Sequence, residues 1–428
     1  MKIEFVNHAS TVFSYDSINL ITDPWLEGEV FHNGWSQISK TKFSYSDYKN
    51  ITHIWFSHEH PDHFFPPNIK SIPLEFRENI TVLFQKTNDK KVVDFCQKLK
   101  FRDVVELEPN TSYNLTNKFE IINAPFGHDS WLFIRTDSFS FLNTNDCVID
   151  TKEKAIKIHA ITGDIDVLLT QFSYASKHGN INQPEKRLKA SKDKFDQMKL
   201  QFDVFKPNHF IPIASYIWYS HEENFYMNDS INTIDKVADF SVEQKVQPII
   251  LYPGDSYDVG KKHDNKRSIN KYMLDLNSLG IDKTRRTISC SIEDIEISGR
   301  KLVSQLRNED ILALILLAFF PIKFYLTDLN IAVKFSSLNG IKRVKSSKEK
   351  TNIFLTSEVL NYCLKFNWGF GATDVNGRYQ TNNDHDSKLF TYYVSVTDSL
   401  NHKDSTFKRV LNKVYRKVKN ICIKVFGA

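Results

Sequence analysis

Ser57-His58-Glu59-His60-Pro61-Asp62-His63 sets three imidazoles and two acids within six residues, directly after the apolar run Thr52-His53-Ile54-Trp55-Phe56. Packing alone does not account for that density. Three protonated rings would repel one another, whereas neutral rings beside carboxylates make a seat for a cation. On an extended segment His58 and His60 point to one side and form two ligands of one ion. Asp62 and His63, expected to open the next helix, are offset toward a second position, as in a two-metal site.

Outward from this stretch, the first half of the chain repeats one theme. A short β-branched or aromatic run ends in a loop that carries a polar or ionisable residue, the way sites are built on sheet scaffolds. Residues 18–22 end at Asp23-Pro24, 51–56 at Ser57-His58, 119–125 at Gly127-His128, 139–143 near Asp146, and 166–170 at Gln171-Phe172-Ser173. Residues 184–200, opened by a proline and rich in Lys and Ala, predict a helix. Further strands are expected in 205–219 and 247–252, and alternating strands and helices imply an α/β layered architecture.

Residues 1–255 are therefore read as the catalytic domain, the polar stretch 256–287 as a connection, and 288–400 as a smaller α+β domain with strand-like segments at 329–335 and 388–396. Residues 401–428 read as a basic amphipathic helix: Phe407, Val410, Leu411, Val414, Tyr415, Val418, Ile421 and Val425 recur at helical spacing, and eight of the residues 403–424 are Lys or Arg. Such a helix suits packing on the body with a solvated basic face, or peripheral contact with an anionic membrane surface or a partner.

Composition excludes disorder: 41% of residues are hydrophobic and 25% charged. A formal charge of +5 spread over 56 basic and 51 acidic residues gives no reason to expect nucleic acid. Five widely spaced cysteines without a Cys-x-x-Cys pair fit a reducing compartment, and the N-terminal residues read as a strand and not a signal peptide, so a cytoplasmic location is expected.

The run His58-Glu59-His60-Pro61-Asp62-His63 resembles the metal-binding signature of the metallo-β-lactamase superfamily. That resemblance implies an αββα sandwich, with His128 of Pro125-Phe126-Gly127-His128-Asp129 as the third histidine of the first metal and Asp146 as the carboxylate bridging both. Asn7-His8-Ala9-Ser10 and Thr22-Asp23-Pro24-Trp25 resemble turns of the subgroup that includes ascorbate-phosphate lactonases and phospholipid phosphodiesterases, which implies supporting roles behind the ligands for His8 and Asp23. A narrower resemblance, carried by Asp23-Pro24-Trp25-Leu26-Glu27-Gly28, Asn145-Asp146-Cys147, Gln171-Phe172-Ser173-Tyr174-Ala175 and Ser220-His221-Glu222-Glu223-Asn224, is to the hydrolase-like portion of CMP-N-acetylneuraminate hydroxylases. Those enzymes also carry a Rieske cluster, which needs paired Cys-x-His and Cys-x-x-His spacings. None of the five cysteines here has such a neighbour.

Related hydrolases place a last metal-binding histidine after a proline on a late strand, where this chain has Ala214 in Ile211-Pro212-Ile213-Ala214. His221 and His209 are the nearby substitutes, and His221, flanked by Glu222 and Glu223, is preferred. The expected metal ligands are thus His58, His60, Asp62, His63, His128, Asp146 and His221, holding one or two divalent ions, zinc foremost, with iron or manganese compatible with the same ligands. Asp62 and Asp146 are the expected catalytic carboxylates, and His178 and Arg378 the expected contacts to a small anionic substrate. The function implied is hydrolysis of a phosphorylated or nucleotide-linked metabolite. The alternatives are an iron-dependent CMP-sugar hydroxylase component served by a separate electron donor, and a non-catalytic binding module with a degraded site.

Overall fold

The computed structural model describes residues 1–402. The basic helix expected over 401–428 therefore lies outside the described residues, apart from its first two positions, which end a helix spanning Asp384–His402.

The strands of the first half build two sheets of seven. One contains β1 (Lys2–Asn7), β2 (Ser10–Tyr15), β3 (Ile18–Thr22), β4 (His53–Phe56), β5 (Thr81–Gln85) and β6 (Asp103–Leu107). The other contains β7 (Thr111–Thr116), β8 (Phe119–Phe126), β9 (Asp129–Thr136), β10 (Ser140–Asn145), β11 (Val167–Gln171), β12 (His209–Ile213) and β13 (Gln247–Pro248). The chain then returns to the first sheet through β14 (Ser256–Asp258), giving the orders β14-β1-β2-β3-β4-β5-β6 and β13-β12-β11-β10-β9-β8-β7.

Two-residue alternation explains why these strands stack. In the first sheet Phe13, Leu20, Trp55 and Leu83 join Phe119, Leu132, Phe141 and Leu169 of the second in one core, while Val12, Ile21, Ile54, Phe56, Val82 and Phe84 turn to the opposite face. There they meet Ile69 of the helix Pro66–Ser71 and Val92, Val93 and Cys96 of the helix Lys91–Lys98. The outer face of the second sheet is covered by Lys152–Thr162 and by Pro184–Phe205, whose Met198, Phe202 and Phe205 are buried in the main core. The result is four layers, helix, sheet, sheet, helix.

Residues 323–381 form a separate five-stranded sheet, ordered Gly340–Val344, Ile331–Ser336, Lys323–Leu326, Ile353–Leu355, Gln380–Thr381. Its own core draws on Ile295, Leu302, Leu306, Phe324, Val333, Leu360, Phe390 and Tyr393. Within it, residues 388–396 are helical and not the expected strand. Phe390, Tyr393, Val396 and Leu400 are all buried, and their spacing of three and four is helical. The apparent two-residue alternation there is overridden by packing. No described helix is long and apolar enough to cross a membrane.

A polar seam joins the two units. Asn224 Nδ2 donates to the carbonyls of Gly34 (2.9 Å) and Asn376 (2.7 Å), Asn376 Nδ2 to that of Phe31 (2.8 Å), and Asn180 exchanges two bonds with the Thr381 backbone. Between the main sheets, Trp55 Nε1 donates to Asn123 Oδ1 at 2.9 Å. Trp55→Phe should keep most of the apolar contact yet leave that buried amide oxygen unpaired. The expected cost is about 1–3 kcal/mol in denaturant unfolding, with metal content unchanged.

Candidate metal centre

Parallel pairing brings the loops together. Thr22 lies opposite Trp55 in the β3–β4 pair, so Asp23 and the Ser57-His58 loop leave the first sheet side by side, and Asp23 N donates to the Trp55 carbonyl at 2.9 Å. In the second sheet Asn145 lies opposite Thr170, and Gln171 opposite Ile213, so Asp146, Gln171 and Ala214 share one edge. Both edges are carboxyl ends of parallel strands, where crevices for ligands form in α/β sheets. A register shift between Asn143 and Asn145 turns Asp146 inward.

Asp62 and His63 occupy a turn and not the start of a helix: His63 N and Phe64 N both donate to the His60 carbonyl, and the helix begins only at Pro66. The Pro61 turn, by folding the chain back, carries both side chains toward the same cavity as His58.

Asp23 is wholly buried behind this loop. Its Oδ1 accepts from Ser57 N (2.7 Å), and its Oδ2 accepts from Ser57 Oγ (2.7 Å), His63 Nδ1 (3.0 Å) and Asn145 Nδ2. With Nδ1 committed to Asp23, His63 presents Nε2 to Asp62 Oδ2 (3.4 Å) and Asp146 Oδ2 (3.3 Å). A carboxylate behind a ligating imidazole fixes its tautomer and direction in this way. His58 Nδ1 lies 2.9 Å from Ser57 Oγ, and its Nε2 lies 2.9 Å from His60 Nδ1 and 3.5 Å from Asp129 Oδ1.

Three overlapping groups result, each with ligand atoms within 4.8 Å of one another: His58, His60 and Asp129; His58, His63 and Asp146; and His8, Asp62 and His63. These could hold metal. The donor chemistry fits a divalent cation, since His63 Nε2, Asp62 Oδ1 and both His8 ring nitrogens are buried without a hydrogen-bond partner, an arrangement proteins avoid unless something else satisfies the group. Burial, reinforced by the facing rings of His63 and His60, holds His58 well below its ordinary pKa, leaving a neutral ring with a lone pair to give. Burial would also lower His63, but Asp62, Asp146 and Asp23 outweigh it and raise His63 well above its ordinary value, as a pocket lined by three carboxylates does.

The architecture is a four-layered αββα sandwich with both strand-end crevices on one side. No family model matches the chain, and no curated protein does. Among solved structures it is similar to CmlA, a diiron β-hydroxylase from Streptomyces venezuelae, at 17% identity and TM-score 0.44 over 60% of this chain and 54% of that one. It is also similar to an isothiocyanate hydrolase from Delia radicum gut bacteria (13% identity, TM-score 0.45) and to Igni18, a metallo hydrolase from Ignicoccus hospitalis (14%, TM-score 0.42), each over 60% of this chain and 98% of theirs. The chain spans about half the length of CmlA.

Several expected positions fall elsewhere. Asp129 Oδ1 faces His58 Nε2; His128 is exposed and is not among the three groups, although its charge still acts on His58, and its carbonyl accepts from Gln85 Nε2 at 3.2 Å. Gly127, at φ +73°, forms with His128 the two-residue turn between β8 and β9, which makes Asp129 the first residue of β9. His221 is also absent from the three groups. Its Nδ1 lies 3.3 Å from Glu223, and burial together with the Arg378 charge pushes it down to about 4. His209, on β12, is not among the three groups either.

Arg378 is no free anion contact. Buried at the seam, its guanidinium donates to Glu223 Oε2 (2.5 Å), Glu358 Oε2 (2.9 Å) and the His32 carbonyl (2.7 Å). His178 is half-buried beside Tyr174, with Nε2 3.1 Å from Ser176 Oγ, and burial lowers it to about 4.

Two neighbours of the centre were given no role at the site by the sequence. Gln171 Nε2 donates to Asp146 Oδ1 (3.0 Å) and to the Ala214 carbonyl (3.2 Å). Lys194, from the helix Pro184–Phe205, donates to Gln171 Oε1, and its ammonium feels the charges of Asp146 and Asp129, although burial still lowers its pKa. Within its helix Lys194 is one lysine among many, and only the fold distinguishes it.

Asp129→Ala should cost tight metal binding in a zinc titration while His128→Ala leaves it intact; the reverse pattern would restore the histidine as the ligand. Asp23→Asn should weaken metal binding by about 10–100-fold without abolishing it. At the seam, burial would raise the Glu358 pKa, but the His32 hydrogen bond and the Arg378 charge outweigh it and hold Glu358 at about 2, against an ordinary 4.5. A depressed carboxylate contributes stability that is fully present above its unfolded pKa and lost as pH falls through the folded one. Unfolding free energy should therefore drop between pH 4.5 and about 2, and Glu358→Gln should flatten that part of the profile.

Proposed function

We propose that this chain is a metal-dependent hydrolase acting on a small anionic metabolite, phosphorylated or nucleotide-linked. The observation that carries the reading is the convergence of His58, His60 and Asp129 with His63, Asp62 and Asp146, among which His63 Nε2 and Asp62 Oδ1 are buried without a hydrogen-bond partner among the described residues. A divalent cation held there supplies Lewis acidity and a water whose pKa approaches neutrality.

The chain's own residues carry the rest. Asp23 and Ser57 hold the two rings in direction, so the ligands need not reorganise during turnover. Asp62 or Asp146 accepts the proton of the attacking water at a carboxylate oxygen. Lys194 stands beside Asp146 and Asp129, at the place where an anionic group of the substrate would approach, and Gln171 braces both the lysine and Asp146.

A second reading has a specific observation behind it. With Asp129 in place of a third imidazole, His58, His60 and Asp129 are two histidines and one carboxylate, a set that also suits non-haem iron. An iron-dependent hydroxylase component for CMP-linked sugars, reduced by a separate electron donor, would use the same pocket.

Elemental analysis of the purified protein, beside assays with phosphodiesters and CMP-sugars, separates the readings. Zinc or manganese with hydrolysis that a chelator abolishes is the expected result, and His58→Ala should remove both metal and activity. Iron, with turnover only after an electron donor is added, would replace hydrolysis by oxygenation. A protein that neither retains nor takes up metal would leave a non-catalytic binding module. Lys194→Ala should raise KM for anionic substrates by about ten- to a hundredfold with metal content unchanged.

A further inference from the structure

We propose that His8 is itself a ligand of the second cation, entering from the β1–β2 turn the corner that Ala214 leaves without a side-chain donor. The inference rests on the metal-centre reading above and goes beyond it, since the sequence assigned His8 a supporting place behind the ligands and sought the missing one in His221.

His8 is fully buried, and neither ring nitrogen makes a hydrogen bond. An imidazole deprived of water, with one ring nitrogen facing no described partner and the other only the Asp62 carboxylate, calls for an explanation. Its Nε2 lies 3.3 Å from Asp62 Oδ2 without hydrogen-bond geometry, and the ligand atoms of His8, Asp62 and His63 lie within 4.8 Å of one another. Two ligands each about 2.0–2.2 Å from one zinc ion have just such a separation. The ring is held edge-on between Trp25 (centroids 5.5 Å apart) and His63 (5.6 Å).

The backbone is arranged for that ring. Strand β1 carries a register shift between Phe5 and Asn7, and His8 follows at φ +47°, in the left-handed region that few non-glycine residues adopt. Asn7 enforces it: its Oδ1 accepts from His8 N (2.9 Å), while its Nδ2 donates to the Ser39 carbonyl (2.8 Å) and Thr41 Oγ1 (3.0 Å). The His8 carbonyl in turn accepts from Ala214 N at 2.9 Å. Positions 8 and 214 are thus hydrogen-bonded neighbours on opposite sheets, and one ring can serve the corner from either side. His221, paired with Glu223 beside Arg378, serves it from neither.

The test is metal stoichiometry and affinity on the full chain, stripped by chelation and titrated with zinc, with cobalt absorption as a second readout of the ligand field. Wild type is expected to take up two ions, and His8→Ala and the near-isosteric His8→Gln one ion each, with affinity at the second position at least about 100-fold weaker. The remaining ion reports that the variants are folded. The swap His8→Ala with Ala214→His should recover part of the second binding event, which a purely structural role for His8 would not allow. Two ions bound at wild-type affinity by His8→Ala and His8→Gln would overturn the inference and leave the metal centre standing. No uptake by wild type would overturn the metal centre itself.

Discussion

The carboxylate of Asp23 ties the two sheets to one another at the point where the chemistry sits. Its two oxygens gather Ser57 and His63 from one sheet and Asn145 from the other. Because the residue is wholly buried, these donors are its only compensation for lost hydration, and each is thereby fixed in direction. The orientation of His63, the rotamer of Ser57 that steadies His58, and the bulged end of β10 that aims Asp146 all depend on this one group. A charge that would be costly anywhere else in the interior becomes the element that sets the geometry of the centre.

Backbone conformation supports the same conclusion. His8, Asp23, Asn145 and Ala214, which close strands on both sheets, all have positive φ between 38° and 52°. None is glycine, so each stores strain, and strained positions persist where the surrounding structure over-determines them. At each one the strand ends at the edge where His8, Asp23 and Asp146 gather.

Much of this was legible in the sequence. Residues 18–22 form a strand as read, because a β-branched run bounded by Asp-Pro leaves little choice, and the histidine run needed only its position after an apolar strand to be recognised. What the sequence did not show was non-local. The place of Asp129 beside His58 depends on the turn that joins β8 to β9. His221 has suitable neighbours in the sequence, but its partner Glu223 answers to Arg378, some 150 positions away. The kinship of His8 with Ala214 exists only across the gap between sheets. Residues 388–396 alternate convincingly, yet Phe390, Tyr393 and Val396 are apolar at spacings that serve a helix as well.

The Arg378 clamp has a consequence for how the molecule comes apart. Its guanidinium belongs to the C-terminal unit and one of its carboxylates to the sandwich, so separating the units would break a buried charge-assisted hydrogen bond. Neither half has an inexpensive way to let go of the other. The smaller sheet is accordingly less an appendage than a keystone, and the loop Ser220-His221-Glu222-Glu223 transmits to the sandwich whatever load the smaller sheet bears.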